Sequence, residues 1–248
     1  IEVAPPGKKP KKLREKPFEV VRRTPLNADD TFIVQLKPLK KIKYQSGDLW
    51  EFQPAGEGPP RSYSIAKYKD CLILSIKKHE HGLCSSFLSG VAAPQRLQAG
   101  IKRNREFHFP KYAPEIVLIG NGTGIAPFLG IIDENLRRVP IELFWGGKTA
   151  ASLELYQPYL AEATADQKLT RFHLALSREG DRQYVQDLLE PQEERLMRKL
   201  EEGAVFMICG SIAMQHAVLE VLEKMAKKEL NKPLSAFEHN EQLRMDCY

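Results

Sequence analysis

The stretch that most restricts the fold lies near the middle of the chain, at residues 115–138, EIVLIGNGTGIAPFLGIIDENLRR. Ile116, Val117, Leu118 and Ile119 form a short run of apolar, mostly β-branched side chains, as in a parallel strand buried on both faces. Glycines follow at alternate positions, Gly120, Gly122 and Gly124. Ile125, Phe128, Ile132, Leu136 and Val139 then recur at helical spacing, and Pro127 falls in the first turn, where its missing N–H is not needed. The segment is therefore predicted to be strand, glycine turn and helix. Glycines there let the backbone approach a ligand closely, and the free N–H groups of a helix start attract a phosphate or a polarised carbonyl. A tight βα turn with no ligand has the same spacing, so the segment alone leaves both readings open.

The flanking sequence divides into two kinds. Residues 18–24, 31–37, 49–53, 61–67 and 71–77 are short runs with partial alternation, separated by Pro, Gly, Asn and Asp, and predict antiparallel strands curled into a small barrel. Beyond Pro110, residues 141–145, 172–177 and 205–209 read as strands alternating with helical stretches. The clearest of these is 212–228, with Met214, Val218, Val221 and Met225 as its inner stripe. The expectation is a two-domain chain, an antiparallel β-barrel over 17–112 and a Rossmann-like α/β domain with a parallel sheet over 113–248. With 248 residues, 42% of them hydrophobic, the chain can fill two modest cores.

Residues 1–16, IEVAPPGKKPKKLREK, are rich in Pro and Lys with little to bury, and are expected to form a solvated linker or arm. Two sharper readings of the arm are a polybasic segment beside an upstream membrane anchor and a tether to an acidic electron-transfer domain. The first residue is Ile rather than Met, in keeping with a piece excised from a longer chain. The formal charge of +5 comes mostly from this arm, so the folded body carries no excess that would suit nucleic acid. Cys71, Cys84, Cys209 and Cys247 lie far apart, without metal-ligand or iron-sulfur spacing, which points to a reduced, cytoplasmic protein.

Two barrel segments carry candidate chemistry. Arg61, Ser62, Tyr63 and Ser64 share one predicted strand, which alternation arranges with Arg61 and Tyr63 on one face and Ser62 and Ser64 on the other, unless the strand bends. A guanidinium, an aromatic plane and a hydroxyl so close together suit an anion, a stacked ring and a ring nitrogen; an ordinary edge strand has the same composition. Residues 81–88, HGLCSSFL, open a short helix with Gly and Ser where backbone N–H groups are free, which suits a diphosphate or a plain N-cap.

Taken in order, these segments resemble the ferredoxin-NADP reductase superfamily, which includes the reductase halves of cytochrome P450 reductase and sulfite reductase flavoprotein. The resemblance covers roughly residues 17–248. Arg61-Ser62-Tyr63-Ser64 is similar to the family's R-x-Y-[ST] flavin motif, which implies that Arg61 binds the FAD diphosphate, Tyr63 packs on the isoalloxazine and Ser64 hydrogen-bonds near N5. Gly82-Leu83-Cys84-Ser85 resembles the helix start that cradles the same diphosphate, implying FAD rather than FMN. Gly122-Thr123-Gly124-Ile125-Ala126-Pro127 resembles the G-T-G-I-A-P segment beside the nicotinamide arm of NADP(H).

The resemblance also implies which nucleotide is used. Ser177-Arg178 followed by Arg182-Gln183-Tyr184-Val185-Gln186 resembles the S-R plus K-x-Y-V-Q pattern around the 2'-phosphate of NADP, with Arg182 in place of the usual Lys. Cys209-Gly210 resembles the C-G segment whose thiol lies against the nicotinamide. In Arg244-Met245-Asp246-Cys247-Tyr248 an acidic residue stands two places before a final aromatic, as in the family. By that analogy Tyr248 covers the flavin face opposite Tyr63, and Asp246 works with Ser64 and Cys209 to orient and protonate the reacting ring. The implied activity is hydride transfer from NADPH to FAD, then electron delivery to a carrier: flavodoxin, a fused FMN domain or ferredoxin. The compact barrel lacks room for the helical insertion of P450-type reductases. Rival readings are a free-flavin or ferric-chelate reductase and a FAD-holding electron-transfer subunit.

Overall fold

The computed structural model describes residues 14–54 and 58–248. The arm expected over residues 1–16 thus lies, as far as residue 13, outside the described residues. The first half of the chain forms β1 (Lys16–Arg23), β2 (Thr31–Pro38), β3 (Leu49–Phe52), β4 (Arg61–Ser64), β5 (Ala66–Tyr68), β6 (Cys71–Lys77), α1 (Leu83–Ser89) and β7 (Arg96–Lys102). The seven strands make one antiparallel sheet in the order β4-β3-β7-β1-β2-β6-β5. Its two edges, β4 and β5, are consecutive in the chain and separated by Ile65 alone, so the sheet curls into a nearly closed barrel. Ile65, fully buried, marks the bend; the single strand expected over 61–67 is therefore two strands. Trp50 fills the interior, stacked on Phe52 with centroids 5.0 Å apart and meeting the edge of Phe18 at 6.1 Å.

The second half contains β8 (Ile116–Asn121), α2 (Ile125–Asp133), β9 (Ile141–Gly147), α3 (Gln157–Ala165), β10 (Arg171–Leu176), α4 (Glu193–Glu201), β11 (Val205–Gly210), α5 (Ile212–Met225), α6 (Ser235–His239) and β12 (Leu243–Cys247). Its five strands are parallel, in the order β10-β9-β8-β11-β12. Alternation along β8 sends Ile116 and Leu118 into one core and Val117 and Ile119 into another, because both faces of a parallel sheet are covered. The first core includes Ile33, Ala66 and Ile73 of the barrel, so the two halves share it. Hydrogen bonds fix the same junction: Ser75 and Tyr156 hydroxyls lie 2.7 Å apart, Gln35 Nε2 donates to Tyr159 Oη at 2.9 Å, and Ser46 Oγ donates to Glu134 Oε1 at 2.9 Å.

Some local expectations change. The helix after the glycine turn ends at Asp133, and Leu136 is exposed. The buried Asn135 ends it, donating from Nδ2 to the carbonyls of Val139 and Lys168 and accepting from Val139 N, which turns the chain toward β9. On α5 the buried stripe runs through Leu222 rather than Val221. Strand β7 lacks a strong apolar run, and its place is set by pairing with β1 and β3.

Glu142 on β9 is 1% exposed and accepts from Arg195 Nη1 and Nη2 at 2.7 and 2.6 Å, from Lys199 Nζ at 2.8 Å, and meets His173 Nε2 at 2.6 Å. Burial alone would raise its pKa, but these donors together outweigh burial and hold the carboxyl at about 2, below its ordinary 4.5. A depressed pKa contributes stability that is complete above about 4.5 and is lost as pH falls through about 2. Glu142→Gln should therefore cost about 3 kcal/mol at neutral pH and clearly less near pH 3, checked by urea unfolding at both pH values.

Candidate functional site: two cavities meeting at one wall

The strand order reverses between β8 and β11, and the ends of these neighbouring strands open a crevice where ligands of α/β sheets bind. Two short turns meet there, one after β8 and one after β11. Gly122 takes φ +51°, a conformation that suits glycine. At Gly124 a Cβ would overlap the Cys209 carbonyl, so a side chain there would push the two turns apart. Asn121 ties them together, accepting from Ser211 N at 3.0 Å and donating to Ser211 Oγ at 3.2 Å. A cavity of ≈ 710 Å³ spreads from this point, lined by Gly122, Thr123, Ser177, Tyr184, Gln186 and Tyr248 among the expected residues.

A second cavity, of ≈ 730 Å³, lies against the barrel. Arg61, Ser62, Tyr63 and Ser64 all line it, on a strand that pairs with β3 along its whole length before the chain turns at Ile65. Tyr63 backs onto Trp50, with centroids 6.2 Å apart, and burial raises its phenol pKa. Gly82, Leu83, Cys84 and Ser85 form the opposite rim. A Cβ at Gly82 would come within 2.5 Å of Ser85 Oγ, which is occupied in donating to Gly82 O and accepting from His79 N. Cys84 is buried, its thiol 3.6 Å from Phe52 O, and serves as packing beneath the rim.

β12 brings the end of the chain to the junction as a fifth parallel strand, with Cys209 paired to Asp246 and Gly210 to Cys247. Ser64 Oγ of the barrel donates to Asp246 Oδ2 at 2.7 Å, so Ser64, Asp246 and Cys209 come together although 182 residues separate the first two. Burial raises the Asp246 pKa, opposed in part by the bond from Ser64. Burial, and next the Asp246 charge, pushes the Cys209 thiol well above its ordinary range, so it stays protonated. Tyr248, 60% exposed, lines both cavities.

Not every expected residue reaches a cavity. Pro127 is buried in the first turn of α2, and Gly124 and Cys209 lie beneath the surface. Arg178 and Arg182 are exposed, next to Ser177 and Tyr184 but outside the cavity lining. Other residues line it without having been singled out: Asn121, Lys148, Trp145 and Gln183, with Asn27 and Asp29 from the barrel. Lys77 and His79 line both cavities. Asn121 stood legibly within the run of glycines; Asn27 and Asp29 gave no signal, since only domain packing carries the β1–β2 turn to Lys148.

Residues 118–220, from β8 into α5, match the family described as "Oxidoreductase NAD-binding domain". The chain is 35% identical over 164 residues to nitric oxide synthase of Drosophila melanogaster, covering 60% of this chain and 12% of that protein. It is 29% identical over 218 residues to the sulfite reductase [NADPH] flavoprotein alpha-component of Bacillus subtilis, covering 77% and 36%. The chain thus spans about an eighth of the Drosophila nitric oxide synthase and about a third of the Bacillus protein. A mutant of ferredoxin-NADP+ reductase from Plasmodium falciparum, solved in complex with 2'P-AMP, has the same fold, with TM-score 0.75 and 17% identity over 94% of this chain and 96% of that one. The matched segment and the relatives agree with the barrel joined to a parallel sheet, and the fold is that of the Plasmodium falciparum ferredoxin-NADP+ reductase structures.

Proposed function

We propose that this chain, as a barrel over 17–112 and an α/β unit over 113–248, is a FAD-dependent reductase that takes hydride from NADPH and passes electrons to a one-electron carrier. The observation that carries the reading is that two cavities of ligand size, one walled by Arg61–Ser64 and the start of α1, the other by the sheet's switch point, meet at Thr123 and Tyr248. The donor set suits two anionic nucleotides. Arg61 has no carboxylate partner among the described residues, and Gly82 brings the start of α1 to the wall of the same cavity. Bound FAD would supply an acceptor for two electrons that can be released singly.

The chain's own residues do the rest. Arg61 counters the diphosphate, Tyr63 supports one ring face and Tyr248 covers the other, excluding water. Ser64 Oγ presents its hydroxyl to the ring edge, and Asp246, whose pKa burial raises, accepts from that hydroxyl and orients it. Cys209, buried and protonated, lies beneath the junction beside Asp246 and, on this reading, behind the nicotinamide end. On this reading Ser177, Arg178, Arg182, Tyr184 and Gln186 surround the 2'-phosphate; 2'P-AMP is the ligand with which the Plasmodium falciparum mutant was solved.

Flavodoxin, a fused FMN domain or ferredoxin are the carriers this reading favours. The four described cysteines are free, which supports a cytoplasmic setting, and among the described residues no helix is long and apolar enough to cross a membrane. A free-flavin or ferric-chelate reductase needs an open flavin face, which Tyr248 stands against. Arg61→Ala should release much of the FAD from an otherwise folded, yellow protein. Mass analysis of the extracted cofactor checks this, and FMN in place of FAD would remove the barrel assignment.

A further inference from the structure

The two cavities are divided by few atoms, and one hydrogen bond closes the division. Thr123 and Tyr248 line both cavities. Thr123 Oγ1 and Tyr248 Oη lie 2.6 Å apart, joining the turn after β8 to the end of β12. The main chain of Tyr248 is held separately, its N–H donating to Gly210 O at 3.0 Å and its carbonyl accepting from Ile212 N at 3.3 Å. With the backbone pinned, the ring moves only about its side-chain torsions. Among the described residues Thr123 alone hydrogen-bonds the phenol.

We propose that Thr123 is a positioning residue, its hydroxyl holding the Tyr248 ring across the passage and so setting how readily a nicotinamide displaces it. The inference rests on the reading of the two cavities as FAD and NADP(H) sites. It assigns Thr123 a role opposite in sign to a simple ligand contact: removing a contact weakens nicotinamide binding, whereas removing a latch on its competitor strengthens it. The Oγ1 hydroxyl carries the effect, and serine keeps it.

The test uses the FAD-loaded protein with Thr123→Val, Thr123→Ser, Tyr248→Phe and the Thr123→Val/Tyr248→Phe double variant. Flavin difference spectra give the Kd for NADP+, and calorimetry gives that for 2'P-AMP, which lacks the nicotinamide end. Relative to 2'P-AMP, Thr123→Val should bind NADP+ roughly 2- to 12-fold tighter, the range of one net hydrogen bond. Tyr248→Phe should match it, the double variant should gain nothing more, and Thr123→Ser should behave as the unsubstituted protein. Unchanged or weaker NADP+ binding in Thr123→Val, or gains that multiply in the double variant, would overturn the proposal. Because Tyr248→Phe cuts the same bond from its other side, the comparison stands even if Thr123→Val loads FAD poorly. Failure of 2'P-AMP to bind the unsubstituted protein would overturn the cavity reading itself, and the latch with it.

Discussion

Replacing Arg178 and Arg182 together by alanine is expected to cut the preference for NADPH over NADH by roughly 10²- to 10⁴-fold, since a charge-assisted phosphate contact contributes about 1.5 to 3 kcal/mol. Neither guanidinium has a carboxylate partner among the described residues, and both are exposed beside Ser177 and Tyr184. Their exposure favours the lower end of that range, because water and salt screen the charge. The segment is anchored independently of these side chains, with Ser177 N donating to Gly147 O at 3.0 Å and Arg178 N to Lys148 O at 2.9 Å. The loss should therefore appear as a raised KM for NADPH with kcat little changed, because the 2'-phosphate is held equally in ground and transition states. Steady-state kinetics with both nucleotides check it; equal weakening of NADPH and NADH would mean that the arginines support the fold instead.

The second large effect belongs to Tyr248. If its ring and the nicotinamide compete for one place, each productive encounter must displace a stacked aromatic, worth about 0.5 to 1.5 kcal/mol beyond the roughly 1.5 to 3 kcal/mol of its burial. Tyr248→Ala should accordingly tighten nicotinamide binding by roughly 10- to 10³-fold and produce a charge-transfer band on mixing with NADP+. It should also narrow the preference for NADPH, because NADH then no longer needs the 2'-phosphate to offset the displacement. Turnover should slow where product release becomes limiting. Stopped-flow absorbance with both nucleotides distinguishes the outcomes, and unchanged binding with unchanged preference would mean that the ring does not guard the site.

The features legible in the sequence are those that local chemistry sets. Residues 116–119 had the composition of a doubly buried strand, Gly124 has no room for a side chain against Cys209, and Gly122 takes a positive φ that suits glycine. Arg61 to Ser64, the Gly82 turn and the Asp246 to Tyr248 end were marked by their resemblance to a family's motifs, and the structure brings them to one junction. What stayed hidden depends on distant parts of the chain. β7 is defined by its neighbours β1 and β3 rather than by its own pattern. Asp48, fully buried, accepts from Arg103 Nη1 at 2.8 Å and Asn104 N at 3.0 Å and meets His108 Nε2 at 2.7 Å, fixing the path out of the barrel through residues more than 50 positions away. Lys77 and His79, at and just past the end of β6, carry no local signal and line both cavities because the second domain packs beside them.

On the proposed function one chain holds FAD and NADPH in the two adjoining cavities, and hydride passes at the wall between them. Anaerobic titration of the purified, FAD-loaded protein with NADPH tests it most directly. The account predicts FAD bound mole for mole and its visible absorbance bleached by about one equivalent of NADPH, with NADH needing a large excess. A protein that carries no FAD in any preparation, or whose FAD remains oxidised under excess NADPH, would contradict it.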